Sequence, residues 1–323
     1  MSLTLIDTHA HLISGDWERY TARPFTPDLP VPDRPAYTMT AEQLLALMDI
    51  NGVTHACLVQ RGHVYGYDNS YIIDSAARYP DRFHPVVILD TADPETPHHY
   101  RRMVKEAGIC GFRMANSRPW LLDTAWLASP IAMEVWRACA DLNTPMTLIA
   151  FDNQLSWVLP QVKAIARMFP DLPVILDHGA MPFGMSQYEV ALREAAGEVV
   201  TMPPPPHYGI DTSIAIFEDV PNVHFKITEI NFERLVKAGV PSAELIRRMV
   251  DGFGAERLIW GSDVGQSMLW DYAEKVAMAR GSTALLTGGE ARSMLHDNAA
   301  RIYGFDTASV GADPVPDLRE QRG

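Results

Sequence analysis

The sequence predicts an α/β fold, a (β/α)8 TIM barrel of eight parallel strands each followed by a helix. Three observations predict it. Short apolar, β-branched runs recur eight times along the 323 residues, with segments of helical period between them. Most of these runs are apolar on both faces, as strands buried on both sides are. Residues able to do chemistry fall at the C-terminal ends of the runs, the face on which such barrels build their sites. A doubly wound open sheet is the main rival, but no GxGxxG follows the first strand.

The expected strands are Leu3–His9, His55–Gln60, His84–Leu89, Ile109–Met114, Met146–Ala150, Val174–His178, Val223–Ile227 and Arg257–Gly261. The expected helices are Ala41–Ile50, Asn69–Tyr79, Pro97–Glu106, Pro130–Asp141, Ser156–Phe169, Asp211–Phe217, Ser242–Phe253 and Trp270–Arg280. Thr40 and Gln43 form a capping box at the start of the first helix, and Gly52 supplies its stop. Two connections are too long to be turns. Ile13–Met39 carries five prolines, and Gly179–Gly209 ends in Pro203–Pro206. Both follow a strand, so both are expected over the C-terminal face as substrate lids. The barrel domain is placed at 1–305, and the polar, Pro- and Gly-rich segment 306–323 reads as a frayed tail.

Lys and Arg number 27 against 40 Asp and Glu, a net charge of −13. The basic residues form pairs at most, so a nucleic-acid partner is not expected; a small anionic substrate could be bound by one or two placed cations. Cys57, Cys110 and Cys139 are far apart and flanked by apolar residues, which reads as buried thiols in a reducing compartment. Leu3-Thr4-Leu5-Ile6 enters a strand without a basic or apolar leader, and no apolar run has the roughly 18 residues of a membrane span. No membrane association is expected, and the expected location is the cytoplasm.

Four motifs carry chemistry. In Asp7-Thr8-His9-Ala10-His11, strand alternation turns His9 and His11 the same way, toward the barrel rim. Two imidazoles so placed can grip one metal ion or one substrate oxygen, or simply pack. Val174–Gly179 ends an apolar strand in His178, placed to be a ligand, an acid or an electrophile. Leu258–Asp263 ends in Asp263; a carboxylate at an apolar mouth must be paired or used, for example to accept a proton from water. It could also cap a following helix. Ile109–Met114 carries Arg113, whose planar guanidinium suits a substrate carboxylate or a salt bridge at the rim. Gln60, Tyr65 and His207 lie on loops after strands and could line a pocket or face solvent. Of Lys226 and Glu229, near the seventh strand, one reads as an internal ion pair and the other as a ligand or its support.

Together the Asp-Thr-His-Ala-His, Gly-Phe-Arg, Asp-His-Gly and Trp-Gly-Ser-Asp segments resemble the amidohydrolase superfamily. Within it they are similar to the amidohydrolase-related branch, which holds 2-pyrone-4,6-dicarboxylate lactonase, sugar lactonases and metal-dependent aromatic decarboxylases. The resemblance runs from Leu5 to about Gly304, and His296–Gly304 looks like the family's last helix. The sequence departs from the branch's decarboxylases in having no histidine in Met146–Asp152, and from binuclear members in having Arg113 where a bridging Lys or Glu stands. A mononuclear ion, zinc first, is therefore what the resemblance implies, held by His9, His11 and Asp263 with His178 or Glu229 assisting; metal-independent catalysis is the other option. The pattern is most similar to the lactonases. It implies a hydrolase that opens a carboxylate-bearing lactone, with Arg113 on the carboxylate, His9, His11 and His178 on the carbonyl oxygen and Asp263 activating water. The alternatives are non-oxidative decarboxylation or hydration of an aromatic or unsaturated acid, and a barrel that binds a small molecule without turnover. The resemblance also implies a homodimer and a setting in aromatic-compound catabolism.

Overall fold

A computed structural model describes residues 3–24, 36–115, 124–149, 155–180, 194–197, 210–266 and 269–307. Eight strands form one sheet in chain order, every neighbouring pair parallel. They are β1 (Leu5–Ala10), β2 (Val53–Val59), β3 (Phe83–Val87), β4 (Gly111–Ala115), β5 (Met146–Ile149), β6 (Val174–Leu176), β7 (Val223–Ile227) and β8 (Leu258–Trp260). Each lies within a few residues of its expected run. β6 ends at Leu176, two residues short of its expected run, because the chain turns into a left-handed conformation at His178.

The barrel closes through the segment just after β8. There Asp263 N–H donates to the His9 carbonyl (2.8 Å) and His11 N–H donates to the Val264 carbonyl (2.9 Å). Two glycines permit this approach. A Cβ on Gly261 would lie 2.4 Å from His9 Cβ, and one on Gly265, whose φ is +80°, would lie 2.2 Å from the His11 carbonyl oxygen. The seam that closes the cylinder is thus also the seam that carries the His-x-His pair and Asp263.

Helices cover the outside. Ala41–Asn51 opens with the expected capping box: Gln43 N–H donates to Thr40 Oγ1 (3.2 Å) and Thr40 N–H to Gln43 Oε1 (2.7 Å). The sequence reading did not foresee the helix Glu229–Ala238, which starts two residues after β7. Inside the barrel, Ile6, Cys57, Val59, Val86, Ile175 and Ile259 pack with Ala299, Ile302, Tyr303 and Phe305, so the last helix and Phe305 form the floor. This layer is separate from the larger core between sheet and helices.

The first long insertion leaves and rejoins the barrel at an antiparallel bridge between Ile13 and Met39. Its described parts are tied to the mouth, where Tyr37 OH donates to the Gly265 carbonyl (2.9 Å) and Arg23 N–H to the Val64 carbonyl (2.7 Å). Most of the second insertion, Pro203–Pro206 included, and all of the tail beyond residue 307 lie outside the described residues. Among the described residues no helix is long and apolar enough to cross a membrane. Cys57 and Cys139 are buried thiols and Cys110 is partly buried.

Candidate active site

The site is assembled on the closing seam. Asp7 Oδ1 accepts from His9 N–H (3.0 Å) and from Ser262 N–H (2.8 Å), and Tyr272 OH donates to Oδ2 (3.0 Å). Asp7 therefore staples β1 to the post-β8 segment from outside the cylinder. Burial raises its carboxyl above the ordinary value, opposed by these three hydrogen bonds. The β1–β2 register shifts between Asp7 and Ala10, and beyond this shift both His9 and His11 reach the mouth.

His11 Nδ1 lies 2.8 Å from the Val59 carbonyl oxygen. A carbonyl only accepts, so Nδ1 carries the proton and a neutral His11 presents a bare lone pair on Nε2. That lone pair sits 3.3 Å from Asp263 Oδ1, and His9 Nε2 sits 3.5 Å from the same oxygen. Burial holds His9 far below the ordinary imidazole value and His11 down to about 4, against the opposing pull of Asp177 and Asp263 respectively. Burial raises the Asp263 carboxyl, but the neighbouring His11, His9 and His178 outweigh it and hold the carboxyl well below its ordinary value.

His178 completes the ring of imidazoles, 5.4 Å from His9 between centroids. Its Nδ1 hydrogen-bonds with Thr228 Oγ1 (2.7 Å), and Asn231 Nδ2 donates to its carbonyl (2.8 Å). Burial lowers its imidazole as well. His178 (φ +53°) and Asp263 (φ +55°) are two of the three non-glycine residues with left-handed backbone among the described residues. That conformation costs on the order of 1 kcal/mol for such residues and persists where surrounding bonds impose it. Here Asn231 holds one and the His9 carbonyl holds the other.

One tier deeper lies a second group. Asp177 accepts from Arg113 Nε (2.7 Å), pairs with Lys226 Nζ (3.0 Å) and lies 3.5 Å from His9 Nδ1, with every partner nine-tenths buried or more. Burial would raise the Asp177 carboxyl, but the charges of Lys226, His9 and Arg113 hold it well below the ordinary value. This tier stands directly behind His9 and fixes its ring.

The structure thus brings together His9, His11, His178 and Asp263 as the sequence suggested. It gives Arg113 a task other than a free carboxylate anchor, since its Nε is committed to Asp177. Glu229 is not among the grouped ligands: it forms a buried ion pair with Lys275. Gln60 is buried and its Nε2 donates to the Gly66 (3.1 Å) and Asp68 (2.6 Å) carbonyls, while Tyr65 OH accepts from Ser14 N–H (2.8 Å). Both brace the loops around the mouth. His207 lies outside the described residues. Sequence reasoning took only His178 from the Asp177-His178 pair and left Lys226 open. Alternation admits one inward residue of such a pair, and only the left-handed turn at His178 admits both.

His9, His11 and Asp263 each offer one ligand atom, all within 4.8 Å of one another. His9 Nε2 and both Asp263 oxygens are buried without a hydrogen-bond partner. The His11 Nε2 lone pair facing a carboxylate oxygen across 3.3 Å calls for a cation or a proton between them. Bonds of roughly 2.0–2.1 Å place tetrahedral ligand atoms about 3.3–3.4 Å apart, so the three residues fit a small divalent ion.

The fold and the cluster define a class: barrel enzymes that work at the C-terminal mouth with a His-x-His pair from the first strand and an aspartate after the last. The chain belongs to the Amidohydrolase family, whose profile matches residues 6–305. It is similar to L-fucono-1,5-lactonase of Burkholderia ambifaria, 27% identical over 256 residues that span 75% of this chain and 77% of that one. Its fold is also that of a probable 2-pyrone-4,6-dicarboxylic acid hydrolase from Acinetobacter baumannii crystallised with citric acid (TM-score 0.68, 21% identity, 94% of this chain and 100% of that one). The dihydroxybenzoic acid decarboxylase of Polaromonas sp. JS666, with bound manganese and 2-nitroresorcinol, shares it too (TM-score 0.63, 15% identity, 94% and 97% covered).

Proposed function

We propose that the protein hydrolyses a lactone, preferentially one bearing a carboxylate. The observation that carries this reading is the buried trio His9, His11 and Asp263, whose unpartnered atoms converge at the barrel mouth. The similarity to a sugar lactonase and the shared fold of a pyrone-dicarboxylate hydrolase support the reaction type.

Asp263 stays ionised and takes a proton from the water that attacks the lactone carbonyl carbon. The tetrahedral adduct then collapses, the ring C–O bond breaks, and the same proton passes to the departing oxygen. When Thr228 donates to Nδ1 of His178, the imidazole proton lies on Nε2 and can point at the developing oxyanion. A donor so placed supplies on the order of 3 kcal/mol. Arg113, Lys226 and Asp177 keep the His9 ring oriented, while burial and the charges of Lys226 and Arg113 keep it neutral. His9, His11 and Asp263 are also the residues that would hold a divalent ion, zinc first. Such an ion, when bound, polarises a carbonyl and acidifies water.

Purified protein assayed against neutral and carboxylated lactones, with elemental analysis before and after chelator treatment, tests this. Ring opening is expected, and Asp263→Asn is expected to lose on the order of 10²–10⁴-fold in kcat while keeping its fold. Residual activity within about tenfold would remove Asp263 from the role of base. A second reading, decarboxylation of an aromatic acid, draws on the fit of the trio to a metal ion. Carbon dioxide release from hydroxybenzoates in place of lactone opening would establish it.

A further inference from the structure

We propose that Thr228, the cap of the helix Glu229–Ala238, is a positioning residue that fixes the His178 imidazole in the tautomer with its proton on Nε2. His178 then offers the site a hydrogen-bond donor and not a metal ligand, whereas His11 offers a lone pair. The tautomer follows from the hydrogen bonding alone. Its catalytic meaning, a donor for the oxyanion, rests on the lactone reading above.

His11 and His178 are both held through Nδ1, and the holders differ in kind. His11 Nδ1 lies 2.8 Å from the Val59 carbonyl oxygen, which can only accept. His178 Nδ1 lies 2.7 Å from Thr228 Oγ1, and a hydroxyl can take either role, so its surroundings decide. Thr228 is fully buried, and among the described residues its hydroxyl meets no acceptor other than this nitrogen. Were the imidazole the donor, the hydroxyl hydrogen would be buried without a partner; with the hydroxyl as donor, both groups are satisfied. The helix favours the same arrangement. Thr228 caps ten helical residues, and the partial positive charge at that end prefers a facing lone pair to a facing N–H.

The mount is fixed at several points. Thr228 directly follows β7, and its N–H donates to Asn231 Oδ1 (3.0 Å). Asn231 Nδ2 in turn donates to the His178 carbonyl (2.8 Å). One turn of chain thus holds both the ring and the left-handed backbone of His178 (φ +53°). Nε2 is the nitrogen left for the site. The His178 ring lies 5.4 Å from that of His9, and His178 and Asp263 feel each other's charge. Among the described residues, however, the atoms close enough to share an ion come from His9, His11 and Asp263, without His178. A ring nitrogen must be bare to bind a metal ion, so an Nε2–H keeps His178 out of that set.

The test reads the tautomer directly. The protein as purified, labelled with 15N-histidine, is studied by long-range 1H–15N correlation at pH about 8, above the ordinary imidazole value. The spectrum of His178→Gln assigns the His178 signals, and His11, with its proton on Nδ1, is the internal contrast. Wild type and Thr228→Ser are expected to show a bare Nδ1 and a protonated Nε2 at His178. Thr228→Val should move a substantial part of the population to the other tautomer. Its kcat for ring opening should fall by about tenfold to a hundredfold with KM little changed, and Thr228→Ser should keep most of the rate. A proton on His178 Nδ1 in the wild type overturns the proposal, and that result does not depend on any variant folding. So does a tautomer unchanged in a folded Thr228→Val. A protein that opens no lactone yet shows the expected tautomers would refute the reaction and leave the role of Thr228 standing.

Discussion

The two ends of the barrel both bury histidines, and the difference between them is their company. At the floor, the His84 ring stacks on Phe305 (4.2 Å between centroids, 13° between planes) and its Nδ1 meets the Tyr303 carbonyl at 3.0 Å. His55 packs against the same phenylalanine and hydrogen-bonds with Thr54. At the mouth, His9 and His11 face a carboxylate that has no hydrogen-bond partner of its own. A histidine beside an aromatic ring and a backbone carbonyl is satisfied by the fold. One whose lone pair meets an unpartnered carboxylate is satisfied only by something from outside the chain. The floor should therefore serve stability and the mouth chemistry.

The largest expected effect falls on the tier that joins these demands. Asp177→Asn leaves Lys226 and Arg113 buried without their counter-charge, which should cost about 3–5 kcal/mol in unfolding free energy and also release the His9 ring. Denaturant melts with parallel kinetics check both, and a stable, fully active variant would break the link between the tiers. Phe305→Ala should cost about 3 kcal/mol by opening the floor, with kcat unchanged. A fall in kcat without a fall in stability would reverse the assignment of the two ends. Tyr272→Phe removes one of three hydrogen bonds to Asp7, and about 1 kcal/mol of stability should go with it.

The smallest effect is on acid stability. His55 is held down to about 4, by burial first and then by Arg82, His84 and His296. Its neutral form is preferred in the folded chain, so its contribution is complete above the unfolded value near 6.5. It is lost as the pH falls from there towards 4. His55→Asn should flatten the stability–pH curve in that window, as equilibrium unfolding at several pH values would show. An unchanged slope would mean that the floor imidazole does not contribute to acid lability.

Much of this architecture was legible in the sequence, for a physical reason. Parallel barrel strands are apolar on both faces, so all eight runs stood out, and the strand-end rule placed His9, His11, His178 and Asp263 at one mouth. What stayed hidden depended on features without a local signature. The register shift after Asp7 and the left-handed turn at His178 decide which side chains point inward, and strict alternation cannot anticipate either. Asp177 escaped for that reason, Lys226, open between an ion pair and a ligand, forms an ion pair with Asp177, and Arg113, open between a substrate carboxylate and a salt bridge, has its Nε on Asp177. Glu229 looked like a ligand because its partner Lys275 lies 46 residues away on another helix.

The contrast between the two ends is tested most directly by the rate of lactone ring opening, measured at saturating substrate in Asp263→Asn and Phe305→Ala beside the wild type, with a thermal melt of each. The expected result is a folded Asp263→Asn protein without turnover and a less stable Phe305→Ala protein with wild-type kcat. Turnover retained without the Asp263 carboxylate, or abolished by the floor substitution in a protein that still folds, would contradict the account.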